Sequence, residues 1–511
     1  MLSDALRVVW GTGWLRRSRV MFLLLASFPC AGAVAVPASA SGLKPVISGL
    51  SAAPAGVASG GSTTVSASVS GALSCTLSSN KTVAGLPVTA PCEGGEFDQA
   101  VVMPANLTPR TASYKLTLTA SSASAKTKAS VTIRVTIAAI GTADLQGLSA
   151  GGSDACAVLS AGGVDCWGGN DSGQLGNGTT GGPEHCVAGA CSTKPVPVTG
   201  ISDATGVSVG AGTSCALLAT GHVECWGANE YGQLGDGTSS NSDTPVEVNG
   251  ITDATQLSAG GLDTCAVLST GHIDCWGLAQ QGELGDGIRT EKSEVPVEVK
   301  HVPHATEVTV GTDSACALLA SGQVRCWGLN EFGGLGDGTT TESLVPKPVT
   351  GLPFATQVST AGLQTCALQP DGHADCWGFN HQGELGDGTT GGFSEVPVEV
   401  TGLTGATLLA TGSGDGCGLL AGGNIQCWGW NIAGQLGSGE SGELSDTPVE
   451  VTGITGAEVV ATGGNFTCVL LPTGHVECLG SDQYGSLGNG TSTEDGIDTP
   501  VEVEGITEAT R

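Results

Sequence analysis

Hydrophobic and polar residues alternate one by one in several short runs over the first part of this chain. The clearest runs cover residues 62–70, 114–119 and 131–137, and β-branched residues fill many of their positions. Such alternation is typical of strands with one buried face. We therefore predict a small immunoglobulin-like β-sandwich over residues 41–140, with Tyr114 leading a late strand and a disulfide between Cys75 and Cys92. A low-complexity surface stalk is the alternative for this segment.

A second pattern begins at residue 143 and repeats seven times, with about 50 residues in each unit. Each unit has one apolar strand, a hairpin of two further strands, a glycine-rich loop and a short Val-Glu-Val-like strand. No unit contains a clear amphipathic helix. Four short strands in such a period are typical of a propeller blade. Residues 143–511 are therefore predicted to form a seven-bladed, all-β propeller.

Two cysteines with nine residues between them recur in every unit, and successive pairs begin 59, 50, 51, 50, 51 and 51 residues apart. If Cys215 faces Cys225 across a hairpin, residues 219–221 form its loop, and opposed Cα atoms about 4.5 Å apart lie within disulfide reach. A metal site would need two further ligands that the units do not supply consistently. We therefore expect seven disulfides, in the pairs Cys156 and Cys166, Cys215 and Cys225, Cys265 and Cys275, Cys316 and Cys326, Cys366 and Cys376, Cys417 and Cys427, and Cys468 and Cys478.

The remaining cysteines complete the account of the 19 in the chain. Cys186 and Cys191 lie together in the one sizeable insertion, residues 181–194, and we expect them to be bonded. Cys30 falls in a segment that we expect to be removed. So many regularly spaced cysteines favour an oxidising compartment.

The N-terminus supports export. Arg16, Arg17 and Arg19 precede an apolar run over residues 20–36, and Ala38-Ser39-Ala40 resembles a cleavage site, so residues 1–40 are predicted to be a signal peptide. The alternatives are a twin-arginine signal, lipidation at Cys30 and an uncleaved membrane anchor. We predict a secreted or cell-surface protein without further contact with the membrane.

Charge is distributed unevenly along the chain. The formal net charge is −30, yet residues 1–142 are net positive, and residues 143–511 hold 44 acidic and seven basic residues. Such a surface repels phosphate backbones, so we do not expect nucleic acid as a partner.

The two chain ends share a pattern that suggests how the ring closes. Residues 505–511, Gly-Ile-Thr-Glu-Ala-Thr-Arg, match the start of another unit, and residues 143–151 supply the same element at the other end. We therefore expect one terminal strand to complete the blade begun by the other.

The strings CALLATGHVECWG (215–227) and EYGQLGDGT (230–238) recur in register and resemble the repeats of the regulator of chromosome condensation family. The resemblance covers residues 143–511 and implies a seven-bladed propeller. It says less about function, since such repeats occur in nucleotide exchange factors, ubiquitin ligases, plant photoreceptors and secreted bacterial β-lactamase inhibitors. The best-known member acts on the GTPase Ran through a wedge that residues 181–194 do not match. An exported protein would not meet Ran, so exchange activity is not expected.

Candidate sites fall into repeated and unrepeated residues. We attribute the aspartates of the Gly-Asp-Gly-Thr type, such as Asp236, to turn chemistry rather than to metal binding. The four histidines at one hairpin position (His222, His272, His373 and His475) are expected to flank turns, and the tryptophans that follow the second cysteines are expected to pack between blades. The unrepeated residues are candidates for partner binding, because variable aromatic residues on loops suit recognition. They are Tyr231, Phe332, His381, Trp430 and Tyr484.

Gly-x-Ser-x-Gly strings occur at residues 147–151 and 206–210, but both fall in the apolar strand of a unit, and no helix follows as a nucleophile elbow requires. The chain contains no His-Glu-x-x-His and no phosphate-binding glycine loop before a helix. We therefore predict neither a catalytic residue nor a cofactor nor a metal. The predicted function is a monomeric module that binds a protein or a cell-surface polymer. A secreted enzyme inhibitor, or a hydrolase or lyase with its site on the blade loops, is the alternative.

Overall fold

The structure is a computed structural model. It describes residues 147–511 apart from 443 and, before them, residues 45–53, 56–57, 62–70, 72, 74–79, 86–91, 96–102, 112–122 and 125–135. The predicted signal peptide, Cys30 and Cys92 lie outside these residues. Within the described ranges, no helix is long and apolar enough to cross a membrane.

Two sheets make up the described part of residues 45–135. One has three strands in the order β1-β3-β6, and the other has five in the order β2-β8-β7-β4-β5. Val65 and Val69 of the first sheet share one hydrophobic core with Leu77, Leu116 and Leu118 of the second. Cys75 is disulfide-bonded. The immunoglobulin-like assignment stays a prediction. The strands are β1 (Val46–Ala53), β2 (Gly56–Val57), β3 (Ser62–Ser70), β4 (Ser74–Ser79), β5 (Val88–Pro91), β6 (Glu96–Val102), β7 (Ala112–Ser121) and β8 (Lys126–Val135).

The rest of the chain forms seven antiparallel sheets, one for each predicted unit. In six of them, four strands lie side by side in sequence order, and the first blade carries a short fifth strand at its outer edge. Blades 1 to 3 consist of β9 (Leu148–Ala150), β10 (Asp154–Val158), β11 (Val164–Gly169), β12 (Glu184–His185) and β13 (Ala190–Pro197); β14 (Ala204–Val209), β15 (Thr213–Leu218), β16 (Val223–Gly227) and β17 (Ser242–Glu247); β18 (Ala254–Ala259), β19 (Asp263–Leu268), β20 (Ile273–Leu278) and β21 (Lys292–Glu298).

Blades 4 to 7 follow the same plan. They consist of β22 (Ala305–Val310), β23 (Ser314–Leu319), β24 (Val324–Gly328) and β25 (Ser343–Pro348); β26 (Gln357–Ala361), β27 (Gln364–Leu368), β28 (Ala374–Phe379) and β29 (Phe393–Glu399); β30 (Ala406–Thr411), β31 (Asp415–Leu420), β32 (Ile425–Gly429) and β33 (Ser445–Glu450); β34 (Val459–Thr462), β35 (Phe466–Leu470), β36 (Val476–Gly480) and β37 (Ile497–Glu502). The first strand of each blade lines a central channel. The all-β propeller prediction is confirmed.

The hairpin between the second and third strands has the predicted register. In blade 2, Cys215 pairs with Cys225 and Leu217 with Val223. Gly221 closes the loop with a φ of 83°, a left-handed conformation that glycine adopts without strain. The Cα atoms of Cys215 and Cys225 lie 4.0 Å apart and their sulfur atoms are bonded. The other six hairpin pairs have the same register and a bond of the same kind.

Tryptophans join neighbouring blades, as predicted. Trp226 of blade 2 is fully buried, and its indole nitrogen donates a 2.8 Å hydrogen bond to the carbonyl oxygen of Gln174 in blade 1. The other five tryptophans at this position are also fully buried and donate to the corresponding loop of the preceding blade. Each blade that carries such a tryptophan is therefore locked to its predecessor by apolar packing and one buried hydrogen bond.

The two ends of the propeller chain close the ring by sharing one strand position. β9 has only three residues, and the C-terminal Ala509 extends its line by pairing with Leu159 of blade 1. Thr510 donates its backbone N–H to Val158 at 2.9 Å. A Cβ atom at Gly147 would lie 1.6 Å from the carbonyl oxygen of Thr510, so glycine is needed where the two segments meet. The structure thus agrees with the closure expected from the sequence.

Candidate binding face

Antiparallel strand order separates the connections of each blade onto two faces. The loops between first and second strands and between third and fourth strands emerge on one side, which we call the loop face. The cysteine hairpins and the links to the next blade emerge on the other, which we call the hairpin face. All five predicted binding residues lie in or beside loops between third and fourth strands. They therefore share the loop face.

A recurring set of hydrogen bonds shapes each of these loops. In blade 2 the Asn229 side chain accepts the N–H of Leu234 at 2.9 Å and donates to the carbonyl oxygen of Thr238 at 3.1 Å. Asp236 accepts the N–H of Thr238 at 2.9 Å. The same aspartate turn recurs in blades 4 and 5. These carboxylates stabilise turns, as predicted.

Metal-ligand geometry is confined to one place in the described part of the chain. Glu184, Cys186 and Cys191 bring their ligand atoms within 4.8 Å of one another. Cys186 and Cys191 are joined in a disulfide, however, so their sulfur atoms are not available as thiolate ligands.

The repeated histidines lie on the hairpin face, near the outer edges of their blades. His222 contacts Glu247 at 2.9 Å, His373 contacts Glu399 at 3.4 Å and His475 contacts Glu502 at 2.8 Å. Each pair lies within a single blade; the histidine side chains are partly exposed and those of the glutamates are mostly exposed. The histidines therefore flank turns rather than meet at the axis, in agreement with the sequence prediction.

The structure brings together only two of the five predicted binding residues. Phe332 of blade 4 packs edge to face on Phe379 of blade 5, with ring centroids 5.1 Å apart. Phe379 also contacts the ring of His381 at 5.0 Å. Tyr231 and Trp430 make no ring contact within the described residues, and Tyr484 lies against the insertion of blade 1, where a Cβ atom at Gly189 would be 3.4 Å from its ring.

Sequence reasoning missed two members of this aromatic cluster. Phe379 ends β28 and Phe393 begins β29, and the two pair across the strands. The rings of Phe393 and Phe332 lie 6.2 Å apart, and 45% of Phe393 is exposed. The register of the Cys376–Val398 pair could not have found Phe393, because an irregularity between Cys376 and Gly378 shifts the pairing that follows. We call Phe332, Phe379, His381 and Phe393 the aromatic cluster.

Three aspartates are buried at the start of the second strands of blades 1, 3 and 6. Asp154, Asp263 and Asp415 are each no more than 1% exposed. Burial raises the pKa of all three well above the usual value, and the nearby carboxyls of Glu283 and Asp313 raise the pKa of Asp263 further. Burial thus disfavours the charged form of these side chains. Their burial was not predicted, although each precedes a first cysteine by two residues.

The central channel is polar along one side and encloses a cavity of about 200 Å³. Hydroxyl groups from the inner strands of blades 1 to 5 accept backbone N–H groups of the following blade; in blade 2, Ser208 accepts from Ala259 at 2.9 Å. Alanines 410 and 461 occupy this position in blades 6 and 7. The hydroxyls therefore serve inter-blade bonding.

The insertion of blade 1 covers the seam where the ring closes. The N–H of Ala188 bonds to the carbonyl oxygen of Gln483 at 3.0 Å, and the N–H of Val187 bonds to Ser492 at 3.1 Å. Both acceptors belong to the loop of blade 7. The insertion and its disulfide thus form a contact between the first and last blades that the other seams do not need.

A closed ring of seven antiparallel blades, with tryptophans joining neighbours and variable loops on one face, defines a seven-bladed β-propeller. The chain belongs to the family of the RCC1-like domain, whose model matches residues 115–443. The regulator of chromosome condensation (RCC1) repeat matches residues 423–470.

One similar sequence and two similar structures illustrate the family and the fold. The ultraviolet-B receptor UVR8 of Arabidopsis thaliana is 28% identical over 352 residues, which are 67% of this chain and 54% of UVR8. The chain therefore spans about half of that relative's length. Prp20p from Saccharomyces cerevisiae, whose structure is described together with its binding properties to Gsp1p and histones, superposes with a TM-score of 0.60 at 19% identity, covering 72% of this chain and 90% of Prp20p. Human WBSCR16 gives 0.59 at 22% identity, covering 66% and 92%. These two likenesses concern the fold.

Proposed function

We propose that this protein is exported and acts as a rigid protein-binding module, with the loop face of its propeller as the contact surface. The observation that carries this proposal is the division between shared and unshared residues. The shared cysteines, tryptophans and turn aspartates stabilise the blades, and we call these shared residues the frame. The unshared aromatic residues lie partly exposed on one face, where a rigid scaffold presents loops for recognition.

The named relatives support the kind of partner. Prp20p is described with binding properties to the proteins Gsp1p and histones, and UVR8 is named as a receptor. Protein recognition is thus a function that this propeller carries elsewhere. An acidic propeller and an export signal favour partners other than nucleic acids.

The disulfides support export. Seven hairpin disulfides and one in the insertion of blade 1 occur in the propeller. Disulfides of this number are rare in reducing compartments. We assign the protein to the cell surface or the medium, with residues 1–40 as its signal.

One experiment tests export and binding together. The full chain is expressed in its source cells with a C-terminal affinity tag, the cell fractions are separated and thiols are alkylated before mass spectrometry. We expect a mature chain beginning near residue 41, outside the cytosol, with its propeller cysteines protected from alkylation. Cross-linking followed by capture should recover a protein partner. A cytosolic chain with alkylated cysteines, or capture that is no different from a tagged control protein, would contradict the proposal.

A further inference from the structure

The aromatic cluster lies at one seam of an otherwise repetitive ring. Phe332 comes from the loop of blade 4, whereas Phe379, His381 and Phe393 come from blade 5. All aromatic ring contacts found in the described residues involve this cluster. Since the other described seams form the same loop without such ring contacts, the cluster is not needed to build a blade. The exposure of Phe393 also sets it apart from core packing.

The seam between blades 2 and 3 is a matched reference, because its loop has the same length. Leu278 pairs with Lys292 there, just as Phe379 pairs with Phe393 in blade 5. Tyr231 takes the loop position of Phe332. At the four positions of the aromatic cluster, the reference seam thus has Tyr231, Leu278, Gln280 and Lys292.

A cation occupies the reference seam. The ammonium group of Lys292 lies 3.2 Å from the carboxylate of Glu294 and donates to the backbone carbonyl of Glu230 at 3.2 Å. It also donates to the hydroxyl of Ser239. The chain itself therefore supplies a lysine side chain to the acidic rim of the seam between blades 2 and 3.

The seam between blades 4 and 5 keeps the acidic rim but replaces the lysine. Glu331 and Glu395 stand at the positions of Glu230 and Glu294, and neither forms an ion pair in the described part of the molecule. Gly333 packs closely on Glu395, since a Cβ atom there would lie 2.7 Å from the Glu395 Cα atom. Asp313 and Glu331 line a small groove together with Phe332. Carboxylates therefore lie beside Phe332 and, two residues along β29, near the partly exposed Phe393.

Resting on the proposed function, we propose that this seam binds a lysine or arginine side chain from a basic segment of the protein partner. The partner's cation would take the place that Lys292 occupies at the reference seam, over the rings of the aromatic cluster and beside Glu331 and Glu395. Aromatic faces attract cations, and arginine stacks on them most readily. The acidic excess of residues 143–511 supplies long-range attraction for a basic segment.

The test measures fluorescence anisotropy of a labelled hexa-arginine peptide with the full mature chain at physiological salt. Phe393→Lys places in blade 5 the residue that blade 3 already has, so the fold should tolerate it. The new lysine should occupy the site and raise the Kd by about tenfold. The reverse exchange, Leu278→Phe with Lys292→Phe, should add a second binding site of similar affinity.

Two double variants, each of which removes two carboxylates, test whether charge alone explains the binding. Glu331→Gln with Glu395→Gln should raise the Kd about fivefold or more, and Glu230→Gln with Glu294→Gln should change it less than about twofold. A hexa-citrulline peptide, which is neutral, should not bind. Equal effects of the two double variants, or an unchanged Kd for Phe393→Lys, would overturn the proposal in favour of general attraction to an acidic surface.

Failure of the proposed function would give a different result from failure of the cation site. One outcome is that the chain with Phe393→Lys still captures the same partner from cell-surface extracts as the unaltered chain does. In that case the protein-binding function is supported, and the proposed binding site between blades 4 and 5 is wrong. If the unaltered chain captures no partner, the proposed function fails, and the peptide measurement still decides whether the seam binds cations.

Discussion

The repeated hairpins and the unrepeated loops of this propeller follow opposite rules. In the hairpins, the cysteines, the turn glycines and, in six blades, the tryptophans recur, and they are buried, bonded or placed in a tight turn. In the loops between third and fourth strands, the turn residues recur but the residues beside them change from blade to blade. The comparison teaches that stability and recognition are assigned to different residues of the same unit. Changes in the hairpins should therefore alter unfolding, and changes in the loops should alter binding.

The largest effect is expected where the ring closes. Deleting residues 498–511 removes most of β37 and the pairing of Ala509 with Leu159, so we expect the melting temperature to fall by roughly 10 °C or more. Calorimetry of the full chain and the deletion variant measures this.

A shorter truncation separates closure from the loss of β37. A chain ending at Thr507 lacks three backbone hydrogen bonds, formed by Glu508, Ala509 and Thr510, and should lose about 3 kcal/mol of unfolding free energy. Removing only Arg511 keeps these three bonds and serves as the control. An unchanged melting temperature after deletion of 498–511 would refute closure by the chain ends.

The next largest effect is expected from one hairpin disulfide. Cys265→Ala with Cys275→Ala should lower the free energy of unfolding by roughly 2–3 kcal/mol, because the bond closes a short loop of the unfolded chain. Denaturant unfolding measures the change. The matched control is Cys186→Ala with Cys191→Ala, which opens a smaller loop and should cost less. If the control costs as much as the hairpin pair, the blade disulfides have no special role in the frame.

A smaller effect on stability is expected from Asp482, which lies in the loop between the third and fourth strands of blade 7. Asp482 stands where blades 1, 2, 4, 5 and 6 have asparagine. It accepts the N–H of Leu487, but a carboxylate cannot donate as Asn229 does. Burial raises the pKa of Asp482 to about 6. Its raised pKa favours folding at low pH, and that contribution is lost as pH rises through about 6.

The substitution Asp482→Asn should therefore raise the melting temperature by about 1–3 °C at pH 8 and change it little at pH 4. Thermal unfolding across this pH range gives the comparison, with Asn431→Asp in blade 6 as the reverse test. A gain for Asp482→Asn that is the same at both pH values would show that the carboxyl does not titrate in the folded state.

Much of the blade structure could be predicted, because the repeated spacing of the cysteines fixes the strand register of the hairpins. The spacing of Cys215 and Cys225 determined the hairpin loop, and the likeness of residues 505–511 to a unit start indicated the closing strand. The aromatic cluster was predicted only in part, since Phe332 and Phe393 meet across two blades and their separation in sequence gives no contact. The burial of Asp263 was also missed, because an exposed turn aspartate and a buried one look alike in sequence.

The aromatic cluster should contribute little to stability. Phe379→Leu with Phe393→Lys gives blade 5 the residues that blade 3 uses at the same pair of positions. The exchange removes the contact between the rings of Phe332 and Phe379, so the unfolding free energy should fall by no more than about 1.5 kcal/mol.

This same double variant tests most directly the claim that the aromatic cluster, and not the shared residues of the blades, binds the partner. The measurement is quantitative capture of the protein partner from cell-surface extracts, with melting temperature recorded on the same preparations. The account predicts a melting temperature lowered by no more than about 5 °C and capture reduced to the level of a tagged control protein. Full capture by the variant would contradict it.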